Sequence, residues 1–304
     1  MGDYWKYHGL GNDYLVMEPE RFTAPPGSEA IRRICDRQRG VGADGILLGP
    51  LSALPGKNPC PGLPALRIFN PDGSEGEKSG TGLRIFARYL WERGHVRQKG
   101  FSISTLGGEV GAEVLDATGG LVAIAMGRVS FASGDIPMAG PPREVLQEKL
   151  EVDGREVLIS GAGLGNPHCV VQVDDPTPEL ARELGPGLEN HPQFPNRTNV
   201  QFMTVLDEHR IRIEIWERGA GYTLSSGSSS CAAAAVACRL SLCRSPLTVS
   251  TRGGDLKVEL DENFHARLEG PVKLVGHGRF SDEFLAELGL VRSHPGRNEE
   301  SRGG

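Results

Sequence analysis

Two Ser-Gly pairs, four asparagines, a Glu-Arg pair and one histidine are the residues of this 304-residue chain whose types and spacing point to chemistry. Ser79-Gly80-Thr81-Gly82 and Ser226-Gly227-Ser228-Ser229 each stand just before an apolar stretch of helical spacing. Serine is a favoured N-cap. The free N–H groups and dipole of the helix that follows attract a carboxylate or phosphate, and glycine in the first turn lets the anion come close. Facing each other across a cleft, two such starts suit a small carboxylate-bearing ligand. The plainer alternative is two N-capped helices. Asn12, Asn70, Asn166 and Asn199 lie in turn-like contexts, where asparagine is either a turn former or an amide partner for a polar ligand. Glu217-Arg218 is either a solvated pair or a holder of an ammonium and a carboxylate. His168 either tunes a neighbouring acid or base or serves structure alone. Metal and nucleotide readings fit poorly. Asn70-Pro71-Asp72-Gly73-Ser74-Glu75 lacks calcium-loop spacing. No Gly-x-x-x-x-Gly-Lys run exists, and Gly161–Gly165 is half of a dinucleotide fingerprint with no helical pattern after it. We expect no metal and no cofactor.

The elements that carry these residues come twice. Gly9-Leu10-Gly11-Asn12 recurs as Gly163-Leu164-Gly165-Asn166, an offset of 154, and the two Ser-Gly pairs are offset by 147. Leu66 and Ile68 alternate with Arg67 and Phe69, and Ile211, Ile213 and Ile215 alternate with Arg210, Arg212 and Glu214, so a strand precedes each polar loop. After Ser79, Leu83, Phe86, Ala87 and Leu90 recur at helical spacing, with Gly94 near the stop; after Ser226, Cys231, Ala235, Cys238 and Leu242 do the same. The unit is strand, loop, Ser-Gly, helix, and its repetition predicts two homologous halves.

Composition bounds the partners. Lys plus Arg is 33 against 39 for Asp plus Glu, a net charge of −6, which excludes a basic nucleic-acid footprint over the whole chain. Glycine, at 42 residues, implies many turns and close backbone approaches. The longest apolar run, Cys231–Cys238, is eight residues, far short of the ~20 of a membrane helix. The N-terminus has no signal-peptide pattern. Six cysteines at 35, 60, 169, 231, 238 and 243 form no Cys-x-x-Cys pair, which reads as a reduced, cytoplasmic protein without membrane or nucleic-acid partners. Ser52–Pro64 reads as a loop, Pro137–Glu144 as a junction and Ser293–Gly304 as a frayed tail.

Six segments together resemble the diaminopimelate epimerase family of cofactor-independent amino-acid racemases. They are His8-Gly9-Leu10-Gly11-Asn12-Asp13, Gly40-Val41-Gly42-Ala43-Asp44, Phe69-Asn70-Pro71-Asp72-Gly73-Ser74-Glu75, Gly165-Asn166-Pro167-His168, Arg197-Thr198-Asn199 and Glu217-Arg218-Gly219-Ala220-Gly221. The resemblance implies an α/β (α+β) fold of two pseudosymmetric domains, each a curved, mostly antiparallel sheet around a central helix. It implies an active site in the cleft between them and a homodimer. The halves would be 1–130, joined by a returning segment at about 270–290, and 131–269. The implied reaction interconverts LL- and meso-diaminopimelate by two-base α-proton transfer. Substrate contacts would map to Asn12, Asn70, Asn166, Asn199, Glu217 and Arg218, with the main chain of Gly80-Thr81 and Gly227-Ser228 on the α-carboxylate. His168 and Glu217 would tune the catalytic groups, which stand at 79 and 226.

At those two positions the family has cysteine, and this chain has Ser79 and Ser226. The family also usually has Asn at Thr81, Glu at Tyr222 and often Gln at Gly45. A thiol with a pKa of ~8.5 is a far better source of base than a hydroxyl near ~15.7. The gap is worth ~10 kcal/mol, and a helix end returns at most ~2 kcal/mol. Weak or no epimerase activity is therefore expected, rising when both serines become cysteine. The alternative is an impaired or repurposed homologue that binds an amino acid without epimerising diaminopimelate, or a serine-substituted form of an active enzyme.

Overall fold

A computed structural model describes residues 2–56 and 62–290. The expected tail at 293–304, Cys60 and the centre of the 52–64 loop lie outside the described residues.

The first half runs β1 (Asp3–Gly9), β2 (Asn12–Met17), α1 (Ser28–Cys35), β3 (Ile46–Leu51), β4 (Ala65–Phe69), β5 (Glu75–Gly76), α2 (Gly80–Glu92), β6 (Gly100–Thr105), β7 (Gly108–Val114) and β8 (Leu121–Arg128). A strand β9 (Glu148–Val152) leads into the second half. That half runs β10 (Arg155–Gly163), β11 (Pro167–Gln172), α3 (Pro178–Glu189), β12 (Asn199–Asp207), β13 (Arg210–Glu217), β14 (Gly221–Thr223), α4 (Gly227–Arg239), β15 (Leu247–Thr251), β16 (Gly254–Leu260) and β17 (His265–Pro271). Finally β18 (Lys273–Arg279) and α5 (Asp282–Glu287) close the described chain.

The strand pairings repeat as the sequence does. In the first half β1–β2 is antiparallel, β2–β3 parallel, β3–β4 antiparallel, β4–β6 parallel, then β6–β7 and β7–β8 antiparallel. The second half reproduces that order through β10–β11, β11–β12, β12–β13, β13–β15, β15–β16 and β16–β17. The short strands β5 and β14 hang on β4 and β13 as equivalent hairpins just before the Ser-Gly pairs. Antiparallel β8–β17 joins the halves, and β18 returns to pair with β1. The fold is the two-domain, mostly antiparallel α+β arrangement expected.

Each sheet wraps one helix. Leu83, Ile85, Phe86, Ala87, Tyr89 and Leu90 of α2 are fully buried, so the helix is apolar on nearly every side, as a central helix must be. In α4 the run Cys231–Ala237 is at most 1% exposed. Alanine suits this place because it has the highest helix propensity and lets strands approach closely. One core cluster holds residues of both helices. The helical pattern expected to reach Leu242 stops at Arg239. Ser241 turns left-handed at φ 58, and the Leu242 N–H donates to the Ala237 carbonyl, an end geometry that ties off the last carbonyls.

Candidate active site

The two Ser-Gly helix starts meet at the junction of the halves. A β-carbon placed on Gly80 would sit 3.2 Å from the Gly227 Cα. One placed on Gly227 would sit 2.7 Å from Leu268 Cδ2 and 3.2 Å from the Gly80 Cα. Glycine is required here because two helix ends approach backbone to backbone. Gly227→Ala is expected to lower folding stability by about 1–3 kcal/mol, the usual effect of overpacking. Denaturant unfolding checks it, and an unchanged midpoint would show that the junction tolerates separation.

Ser79 and Ser226 stand immediately upstream of that contact, both extended at the N-cap. Their hydroxyls are engaged differently. Ser79 Oγ accepts from the Gly82 N–H at 3.0 Å and lies 3.1 Å from the Tyr14 hydroxyl. Ser226 makes no such cap; its hydroxyl stands beside the Glu217 carboxylate, which accepts from Thr223 Oγ1 at 3.1 Å. Burial raises the pKa of Glu217 above the ordinary carboxylate value, while the Ser226 and Thr223 hydrogen bonds oppose the rise. Burial also pushes the Tyr14 phenol up to about 12, and the Ser79 hydrogen bond pulls against it. One hydroxyl of the junction thus stands beside a carboxylate and the other beside a phenol.

The first turns of α2 and α4 carry N–H groups with no carbonyl inside the helix to bond. Gly80, Thr81, Gly227 and Ser228 occupy them. Thr81 is buried, while Ser228 keeps some exposure.

The asparagines fall into two shells. In the first half Asn12 donates to Asp44 Oδ2 at 3.0 Å, and Asp44 also accepts from Arg37 at 2.8 Å. Asn70 is exposed and donates to Ser74 Oγ at 2.9 Å, closing its own turn. In the second half Asn166 Oδ1 lies 3.0 Å from His168 Nε2, and Asn199 donates to the Pro167 carbonyl at 2.9 Å. Asn199 Oδ1 also accepts the Arg218 N–H at 3.0 Å. The Arg218 side chain is exposed and donates to the Asn196 carbonyl at 3.1 Å. The parallel pairing that sets His168 opposite Asn199 brings this group together.

His168 is fully buried. Burial, with the charge of Arg218 adding, pushes its pKa down to about 3, so it is neutral at physiological pH. Its Nδ1 lies 3.2 Å from Gln201 Nε2, and Gln201 donates to Ser229 Oγ at 3.0 Å. It therefore reaches α4 through Gln201.

Tyr222 lies on the far side of its hairpin. It pairs with Trp216, whereas Gly221 pairs with Glu217 and Thr223 with Ile215, so alternation turns Tyr222 away from Glu217. Its hydroxyl donates to Glu214 at 2.7 Å. Cys231 is buried, and burial pushes its thiol up to about 12.

Sequence reasoning did not single out Tyr14, Asp44, Gln201 or Arg84. Arg84 is fully buried in α2, and its three guanidinium nitrogens have no hydrogen-bond partner among the described residues. Gly9, Gly227 and Gly270 leave it room, for β-carbons there would lie 3.2, 3.6 and 3.2 Å from it. Burial lowers its pKa to about 10, so it still adds positive charge to a junction already rich in helix N–H groups. An arginine set among the apolar residues following Ser79, with Arg88 one turn on, was the available signal. A groove of about 510 Å³ is lined by Trp5, Tyr7, Arg21, Glu92 and Arg93 near the opposite end of α2.

Comparison with known proteins follows the same outline. The family profile described as diaminopimelate epimerase matches residues 4–132 and 161–275. The chain is 53% identical over 283 residues to diaminopimelate epimerase 2 of Nostoc sp. (strain PCC 7120 / SAG 25.82 / UTEX 2576), covering 93% of this chain and 97% of that protein. It is 40% identical to the diaminopimelate epimerase of Pelotomaculum thermopropionicum over 286 residues, 91% of this chain and 98% of that one. Among solved structures, a probable proline racemase from Agrobacterium radiobacter K84 superposes with a TM-score of 0.68 at 17% identity, over 92% of this chain and 93% of that chain. A hydroxyproline epimerase from Agrobacterium vitis gives a TM-score of 0.67 at 16% identity, over 91% of each chain. At such identities these last two establish the fold alone.

Proposed function

Because the chain belongs to the diaminopimelate epimerase family, we propose that its α-proton transfer runs between the Ser79 and Ser226 hydroxyls. It is a diaminopimelate epimerase-like isomerase, interconverting the LL and meso forms, and the reading of a homologue that only binds an amino acid is not favoured. The observation that carries the site is the meeting of the two helix starts, with each adjoining serine beside an ionisable group.

The substrate α-carboxylate sits against the first-turn N–H groups of Gly80-Thr81 and Gly227-Ser228, supported by the two helix dipoles and the Arg84 charge. Asn12, Asn70, Asn166, Asn199, Glu217 and Arg218 surround the charged end groups. Ser226 takes the α-proton as it passes its own proton to Glu217, so no free alkoxide forms. This is the usual activation of a serine by an adjacent base. Ser79 returns a proton from the other face. His168 orders Asn166 and Gln201 and stays uncharged throughout.

The same reading divides the chain into 1–130 with a returning segment at about 270–290, and 131–269; the β1–β18 pairing and the repeated strand order support it. A homodimer and a cytoplasmic location complete it, supported by the family resemblance. The described cysteines are free, and no described helix is long and apolar enough to cross a membrane. Deuterium exchange at the substrate α-carbon in heavy water tests the chemistry: incorporation by the wild-type chain is expected, and its absence would return the site to a binding role.

A further inference from the structure

We infer that Tyr14 is the positioning and proton-relay residue of the Ser79 face, the counterpart of Glu217 on the Ser226 face. This rests on the function proposed above. Tyr14 is buried, and its hydroxyl lies 3.1 Å from Ser79 Oγ. The Ser79 oxygen already accepts the Gly82 N–H, so a proton donated by Tyr14 leaves the Ser79 hydrogen free to point at the substrate.

The surroundings hold the ring in that place. Gly45 lies beside it, and a β-carbon there would fall 2.6 Å from Tyr14 Cε1 and 2.5 Å from the Phe69 carbonyl oxygen. A side chain at 45 and the Tyr14 ring therefore exclude each other, which gives the Gly45 departure a physical reason. The repeat supports the assignment. Offset by 154, Tyr14 corresponds to His168, which occupies the equivalent strand of the second half and connects through Gln201 to Ser229 at the start of α4. In each half, then, the residue two places after the Gly-Leu-Gly-Asn asparagine is a buried ring linked to the central helix start.

The relay balances. As the Cα–H bond breaks on the Ser226 face, its electron pair stays on carbon, and the proton reaches Ser226 while the Ser226 proton moves to Glu217. On the other face the Ser79 O–H bond breaks and a new Cα–H bond forms. Ser79 recovers a proton from Tyr14, so the charge comes to rest on a phenolate instead of an alkoxide. The proton held by Glu217 returns to Tyr14 through solvent and resets the site.

Tyr14→Phe removes only the hydroxyl and keeps the ring beside Gly45. In the full chain, with diaminopimelate as probe, kcat for α-proton exchange is expected to fall at least ~100-fold while KM moves less than ~3-fold, a loss in the range of general acid–base contributions. In a Ser79→Cys background the same change is expected to cost no more than ~10-fold, because a thiol ionises unaided. A second measurement needs no turnover. The pH profile of alkylation of the thiol introduced by Ser79→Cys, followed by peptide mass spectrometry, is expected to shift up by about one unit on Tyr14→Phe, since the phenol hydrogen bond favours the thiolate. Equal losses in the serine and cysteine backgrounds, or an unshifted alkylation profile, would overturn the assignment. A wild-type chain that exchanges no α-proton would sink the proposed function, and the alkylation profile would still decide the role of Tyr14.

Discussion

Glu217→Gln is expected to lower the epimerisation rate by ~10²–10⁴-fold, the range that a positioned general base contributes. The carboxylate accepts from Thr223 Oγ1 and stands beside the Ser226 hydroxyl, so it is placed to take the proton that Ser226 must shed. Glutamine keeps the size and one acceptor oxygen but cannot take a proton. The pH profile separates this role from a structural one. Only ionised Glu217 acts as base, so activity is lost as pH falls through its pKa, and burial places that pKa above the ordinary carboxylate value. An acid limb above the usual carboxylate range is therefore expected in the wild type, and its loss in the variant. His168 cannot supply that limb, because it stays neutral down to about pH 3. Folding is expected to survive. A raised carboxyl pKa means that the folded site disfavours the charge, which lowers stability once pH exceeds the unfolded value. An uncharged side chain removes that penalty. A variant with unchanged kcat would show that Glu217 only shapes the hairpin.

The joint change Ser79→Cys with Ser226→Cys is expected to raise the rate at least ~100-fold, again within the span of acid–base contributions. Thiols at two helix starts reach the thiolate at far lower cost than hydroxyls, by ~10 kcal/mol on the unperturbed scale. Glu217 and the Tyr14 phenol recover part of that gap for the serine enzyme, which is why the expected gain is smaller than the full difference. Either single change is expected to give less than ~10-fold, because the two faces act as one unit and such effects are strongly non-additive. Tyr222, where the family usually has Glu, is not expected to limit this gain. The pairing of β13 with β14 turns it to the opposite face, where it bonds Glu214. Steady-state epimerisation of the four proteins is the check, and a double variant slower than wild type would contradict the basicity argument.

Much of this was legible because the chain repeats. The recurring Gly-Leu-Gly-Asn and Ser-Gly signals predicted two equivalent halves, and the pairings reproduce one order twice. The alternation of Ile211, Ile213 and Ile215 marked β13 correctly. It did not predict that Glu214, on the other side of that strand, is only 4% exposed, because α3 covers that face and a single strand carries no record of its cover. Of the proposed site, the serines, asparagines and Glu217 could be named from local motifs. Tyr14 and Arg84 could not, since each is placed by contacts far along the chain: Tyr14 by Ser79, 65 residues away, and Arg84 by glycines on other elements. Gly45 read as a mere departure until the ring of Tyr14 was seen to fill its place.

The most direct test of the account compares wild type, Ser79→Ala and Ser226→Ala, each incubated with LL-diaminopimelate in heavy water, with deuterium at the α-carbon followed by NMR. The account predicts exchange and epimerisation by the wild-type chain and a loss of at least ~100-fold in each alanine variant, because each face loses the hydroxyl that carries its proton. Exchange at the wild-type rate in either variant, or none in the wild type, would contradict it.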